Sequence, residues 1–151
     1  MLRQQIDKNR EYFKNFLSTQ KLRLTMQRQI IFDEFMKHDS HMDVDTLYAV
    51  TKDIDSNIGL ATIYRTIKLL MEAGIVREVQ FGDGRSYYET VMGRQHHDHL
   101  ICEVCGKNIE FNDAEIEEIQ EKVAAKYKFK LTNHSMNLFG VCEKCRSLGK
   151  G

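Results

Sequence analysis

The chain has 151 residues, 42% of them hydrophobic, with 22 basic residues balancing 22 acidic ones and neither Trp nor Pro. One or two small domains fit that length, and no stretch approaches the roughly 18 apolar residues of a membrane span, which argues against a membrane protein. Zero formal net charge gives no bulk attraction to nucleic acid. The distribution says more: residues 1–29 carry Arg3, Lys8, Arg10, Lys14, Lys21, Arg23 and Arg28 against Asp7 and Glu11, whereas 110–121 is acidic, so the basic end is the one suited to phosphate. No apolar signal-like segment or low-complexity linker is evident, and a cytoplasmic protein with reduced thiols is expected.

Taken in chain order, residues 2–17 place Ile6, Phe13, Phe16 and Leu17 at helical intervals, and Thr25 is an N-cap for a second helix holding Ile30, Ile31 and Phe35. A short third helix is predicted over 43–51. The fourth starts near Gly59 with Ile63, Ile67, Leu70 and Met71 along one stripe, and stops at Gly74, a residue suited to a left-handed C-terminal cap. Residues 75–81 alternate as a strand, Gly82-Asp83-Gly84 forms a turn, and 85–89 returns. Helices followed by a hairpin describe a winged helix-turn-helix. In that arrangement the fourth helix enters a major groove through its N-terminal residues while wing and basic end hold phosphates. Thr62, Tyr64 and Arg65 are then the candidate DNA contacts; the competing reading places Tyr64 in the core and Arg65 on a solvated face.

The only four cysteines form two Cys-x-x-Cys turns, Cys102/Cys105 and Cys142/Cys145. Two such knuckles aim four thiolates at one tetrahedral zinc that holds structure and leaves no open position for chemistry. Disulfides or a redox pair fit a reducing compartment and a doubled motif less well. Before the first knuckle stands His96-His97-Asp98-His99, in a segment, 91–101, that lacks helical periodicity and reads as a strand. Side chains alternate along a strand, so His97 and His99 face one way and His96 and Asp98 the other, and one strand can feed two further metal sites. Imidazole with carboxylate suits Fe, Mn, Zn or Co and permits exchange. A solvated polar strand is the alternative. Residues 113–126 read as a helix and 129–131 and 135–139 as strands accompanying it, an α+β module.

Residues 59–65, Gly-Leu-Ala-Thr-Ile-Tyr-Arg, resemble the recognition-helix signature of the ferric uptake regulator family of metal-dependent bacterial transcription factors, and residues 96–107, from His96 to Lys107, resemble its metal-strand signature. Leu131-Thr132-Asn133-His134-Ser135 and the last Cys-x-x-Cys extend the likeness to nearly the whole chain. The resemblance implies an α+β chain in which a winged-helix DNA-binding domain over 1–90 is joined, through a hinge at about 90–95, to a small α/β dimerisation domain over 96–151 with a four-cysteine zinc site. It implies structural Zn2+ on Cys102, Cys105, Cys142 and Cys145. A regulatory site is implied on His41, Glu89, His97, His99 and Glu110, and a third on His96, Asp98, Glu117 and His134. Without that resemblance His41, Glu89, Glu110, Glu117 and His134 would pass as ordinary surface or strand residues. Arg23 falls where family members reach a minor groove. Met26 stands where many relatives carry proline.

The function so implied is a metal-activated repressor that binds double-stranded operator DNA as a homodimer, a higher oligomer being left open, when Fe2+ occupies the regulatory site; Mn2+, Zn2+ or Co2+ would serve in vitro. Glu110 stands where peroxide-sensing relatives usually have aspartate, which favours iron uptake over peroxide sensing, and a zinc- or manganese-sensing regulator is the neighbouring alternative. A metal-dependent hydrolase is the remote one, since the proposed site is ligand-saturated and no separate base is suggested. A metal-storage protein would leave the Tyr64-Arg65 helix unexplained.

Overall fold

Three side-chain caps mark where helices begin in this protein, whose computed structural model describes residues 3–38, 41–82 and 84–150. Thr25 accepts the Arg28 N–H ahead of α2 (Met26–Lys37), Asp43 accepts the Thr46 N–H ahead of α3 (Val44–Ile54), and Asp113 accepts the N–H groups of Glu115 and Ile116 ahead of α5 (Ala114–Lys126). α2 starts at Met26 itself, directly behind the Thr25 cap. The chain forms two compact units, Met1–Gln95 and His96–Gly151.

The first unit contains α1 (Arg3–Thr19), α2, β1 (Met42–Asp43), α3, α4 (Leu60–Glu72), β2 (Val76–Gln80) and β3 (Ser86–Thr90). Leu2, placed in the first helix by periodicity, and Asp83, placed in the wing turn, lie outside the described residues. Phe13, Leu17, Ile31, Phe32, Leu47, Ile63 and Leu70 are fully enclosed, and the Phe13 and Phe32 rings stack with centroids 5.8 Å apart. The buried stripe of α4 is Ile63, Thr66, Ile67 and Leu70; Met71, predicted on that stripe, is 36% exposed, because it sits one position past Leu70 and has rotated off the core face. Four helices precede the hairpin, and the wing is a three-stranded sheet in the order β1-β3-β2, because Met42 and Asp43 pair with Tyr88 and Tyr87. Periodicity could not reveal a strand of two residues.

In the second unit β4 (Asp98–Cys102) is the centre of a sheet ordered β5-β4-β6, antiparallel to β5 (Asn108–Phe111) and parallel to β6 (Asn137–Gly140), with α5 between them in sequence and α6 (Glu143–Ser147) after. The strand predicted over 91–101 is confined to its last part: pairing with β5 begins at Asp98 and with β6 at His99, whereas Val91 and Met92 donate instead to the Ile75 carbonyl. The strand predicted at 129–131 does not form. Lys128 takes a left-handed conformation (φ 61°) and the Phe129 N–H returns 2.8 Å to the Ala124 carbonyl, closing α5 in a way that turns the chain out of any ladder. The same closure ends α1 at Lys21, with Leu22 N–H on Leu17, and α4 at Gly74, with Ile75 N–H on Leu70. Strand β5 and helix α6 were not anticipated; both are four or five residues long and are specified by their neighbours.

Candidate metal centres and nucleic-acid face

The four cysteine sulfurs lie within 4.8 Å of one another. A tetrahedral centre with metal–sulfur bonds of about 2.3 Å spaces its sulfurs about 3.8 Å apart, and Cys105 Sγ and Cys142 Sγ are separated by 3.8 Å. The Cys142 N–H donates to Cys102 Sγ at 3.3 Å and, with the N–H of Cys105, brings the Cys102 thiol down to about 6. Burial, then the three neighbouring thiols, pushes Cys145 up to about 12. One sulfur ready to ionise beside another that resists is what crowded thiols do without a cation, and a zinc ion at their centre removes that conflict. The sulfur cage fits zinc.

His96, Asp98, Glu117 and His134 also place one donor atom each within 4.8 Å of the rest. Asp98 comes from β4, where its Oδ1 accepts the Met136 N–H at 3.1 Å; Glu117 comes from the first turn of α5, and His134 from the segment ahead of β6. Glu117 Oε1 lies 3.4 Å from His96 Nε2 and 3.3 Å from His134 Nε2, and those three atoms are buried without a hydrogen-bond partner. Buried polar atoms normally find partners, so three orphans aimed at one point fit a cation. This is the face that alternation along the strand assigns to His96 and Asp98.

The remaining candidate ligands divide between the units. In the first, His41 Nε2 stands 2.9 Å from Glu89 Oε2, the His41 ring meets the Phe81 ring edge-on at 4.7 Å, and Arg77 donates to Glu89 Oε1. Glu89 is 1% exposed. In the second, the His97 and His99 rings contact at 5.1 Å, His99 lies opposite Glu110 in the β4–β5 register, and His97 Nε2 lies 3.8 Å from Glu110. Asn137 Oδ1, 3.2 Å from His99 Nδ1, can only accept, so that bond requires Nδ1–H and makes Nε2 the lone-pair donor. Arg77, Phe81 and Asn137 escaped the sequence reading. For Arg77 a signal existed: a hairpin centred on residue 83 pairs positions summing to 166, which sets 77 opposite 89.

On α4 the polar face carries Thr62, half-buried in the first turn, then Tyr64, 53% exposed, and Arg65, exposed. Arg23 is exposed two residues before the Thr25 cap. Tyr64 is therefore not a core residue.

The family model described as "Ferric uptake regulator family" matches residues 19–139. The ferric uptake regulation protein of Campylobacter jejuni is 41% identical over 139 residues, covering 91% of this chain and 88% of its own. Among solved structures, the ferric uptake regulator of Helicobacter pylori, described as revealing three functional metal binding sites, superposes with a TM-score of 0.84 at 28% identity over 93% of both chains. That of Vibrio cholerae, described as revealing structural rearrangement of the DNA-binding domains, gives a TM-score of 0.69 at 41% identity over 83% of this chain and 96% of its own. With a winged-helix unit, a second α/β unit of the dimerisation type and a four-cysteine cluster, the chain belongs to the ferric uptake regulator family, and it is a metal-responsive, DNA-binding transcription regulator of metal homeostasis rather than an enzyme.

Proposed function

We propose that the chain represses transcription as a homodimer on palindromic operator DNA when an exchangeable divalent ion, Fe2+ in the cell, is held by His41 and Glu89 of the first unit together with His97, His99 and Glu110 of the second. Structural Zn2+ belongs on Cys102, Cys105, Cys142 and Cys145, and a further exchangeable ion on His96, Asp98, Glu117 and His134. Three donor sets parallel the three sites described for the Helicobacter pylori relative. Mixed imidazole and carboxylate donors accept Mn2+, Zn2+ and Co2+ as well as Fe2+, so the metal available in the cell selects among them.

The observation that carries the reading is Glu89, a carboxylate 1% exposed at the end of the wing, with His41 Nε2 at 2.9 Å. Arg77 compensates Oε1, which leaves Oε2 turned to the His41 imidazole, and a carboxylate oxygen with an imidazole nitrogen is a donor pair suited to a divalent ion. When bound, the ion supplies the charge that lets these acids and imidazoles converge. The residues do the rest: His41 and Glu89 commit the first unit, His97, His99 and Glu110 commit the second, and the segment after β3 serves as the hinge whose equilibrium they bias. Tyr64, Arg65 and Thr62 then read base edges while Arg23 meets the backbone or a minor groove.

Support for a dimer lies in the second unit. α5 leaves Ile119 and Val123 more than half exposed, and Leu100, paired in register with Ile109 and Leu138, shares with them an outward-facing apolar row. A second copy of the chain is the self-complementary cover for such a row.

The test is DNA affinity of the zinc-loaded dimer against each buffered divalent ion. Glu89→Ala and His97→Ala are expected to lose most of the ion-dependent gain, at least tenfold, while circular dichroism stays native, whereas Cys102→Ser unfolds the second unit or dissociates the dimer. Identical behaviour of all three would refute the division into structural and regulatory sites.

A further inference from the structure

We propose that Arg77 is a resident counter-ion for Glu89 that sets the affinity of the regulatory site by competing with the divalent ion for one buried carboxylate. This rests on the reading of Glu89 as a regulatory ligand. The β2–β3 register places Arg77 directly opposite Glu89, and its Nε donates to Oε1 while Oε2 faces His41. The carboxylate side chain is fully buried, and that of Arg77 is 22% exposed. An ionised acid in that position stays charged only against a positive partner. Arg77 supplies it whenever the ion is gone.

The same contact works against the ion. A divalent cation arriving on the His41 side meets a carboxylate already neutralised, with a like charge held across the width of that carboxylate. Affinity is the difference between loaded and ion-free states. Removing the guanidinium takes the whole pair from the ion-free state but less from the loaded one, where the ion has taken over the compensation. Arg77 therefore keeps the ion-free wing folded and raises the ion concentration at which the regulator responds. A residue that merely held the hairpin together would behave otherwise, since its loss would weaken folding and ion binding alike.

The test uses the full, zinc-loaded chain in a His134→Ala background, which removes the other exchangeable donor set, with Mn2+ as probe and calorimetric titration as readout. Arg77→Met is expected to bind Mn2+ about tenfold more tightly, about 1.4 kcal/mol, while the ion-free protein melts at a lower temperature. Arg77→Gln, which keeps a donor and guards against misfolding, should move both quantities the same way by less. Arg77→Lys, which keeps the charge but not the guanidinium geometry, should gain less than Arg77→Met. Unchanged or weaker binding in Arg77→Met and Arg77→Gln overturns the inference, as does an equal gain in Arg77→Lys. Glu89→Gln separates the two levels: if it loses affinity while Arg77→Met gains none, only the counter-ion role falls; if it loses nothing, the ligand reading of Glu89 falls.

Discussion

The first unit encloses Phe13, Leu17, Ile31, Phe32, Leu47, Ile63 and Leu70, whereas among the described residues of the second the buried ones are Asp98, His99, Ile101, Cys102 and Cys145. Four of those five are donors to a candidate metal set. With Ile101 the one buried aliphatic among its described residues, segment 96–151 has little apolar core to offset its conformational entropy, and below about 70–80 residues metals or partners commonly supplement such a core. On the proposed reading the two halves obtain their stability from different sources: packing in the first, and in the second the zinc ligation and association proposed above.

The comparison breaks most readily at the zinc cage. Stripping zinc with a strong chelator, or Cys145→Ser, is expected to abolish folding of the second unit, since structural zinc supplies about 10–16 kcal/mol in small zinc modules. Calorimetry should then retain one cooperative transition, that of the first unit; joint loss of both would contradict independent stability sources. Next in size, Phe32→Ala should cost the first unit about 3–5 kcal/mol, read by denaturant titration, with zinc content by mass spectrometry unchanged. Smallest are the left-handed lysines at Lys21 (φ 56°) and Lys128 (φ 61°). Glycine relieves such a conformation, so Lys21→Gly should raise the first transition and Lys128→Gly the second, each by about 1 kcal/mol or less. A shift of the wrong transition would show the units to be coupled in folding.

Much of the fold could be read from residue order because its signals are local. Thr25 acts as the cap its residue type suggests, Asp43 and Asp113, read as helix starts, cap the helices that follow them, and Gly74 takes the left-handed turn that closes α4. The knuckle spacing located the sulfur cage, and alternation along the chain separated His96 and Asp98 from His97 and His99. Less accessible were features with long-range causes. Lys21 and Lys128 close helices where no glycine announces it, and β1 exists only because Tyr87 and Tyr88 are beside it. The tract at 129–131, apolar enough for a strand, is turned aside by the end of the preceding helix.

Residue order alone settled donor chemistry, cap positions and family membership, all of which depend on residue type and short spacings. Tertiary structure decided convergence: that Glu117 on α5 and His134 before β6 reach the same point as His96 and Asp98, and that Glu89 is shared by His41 and Arg77. The reason is physical. Which distant atoms meet is set by strand pairing and helix packing, and the charge each meets there is a property of the folded environment.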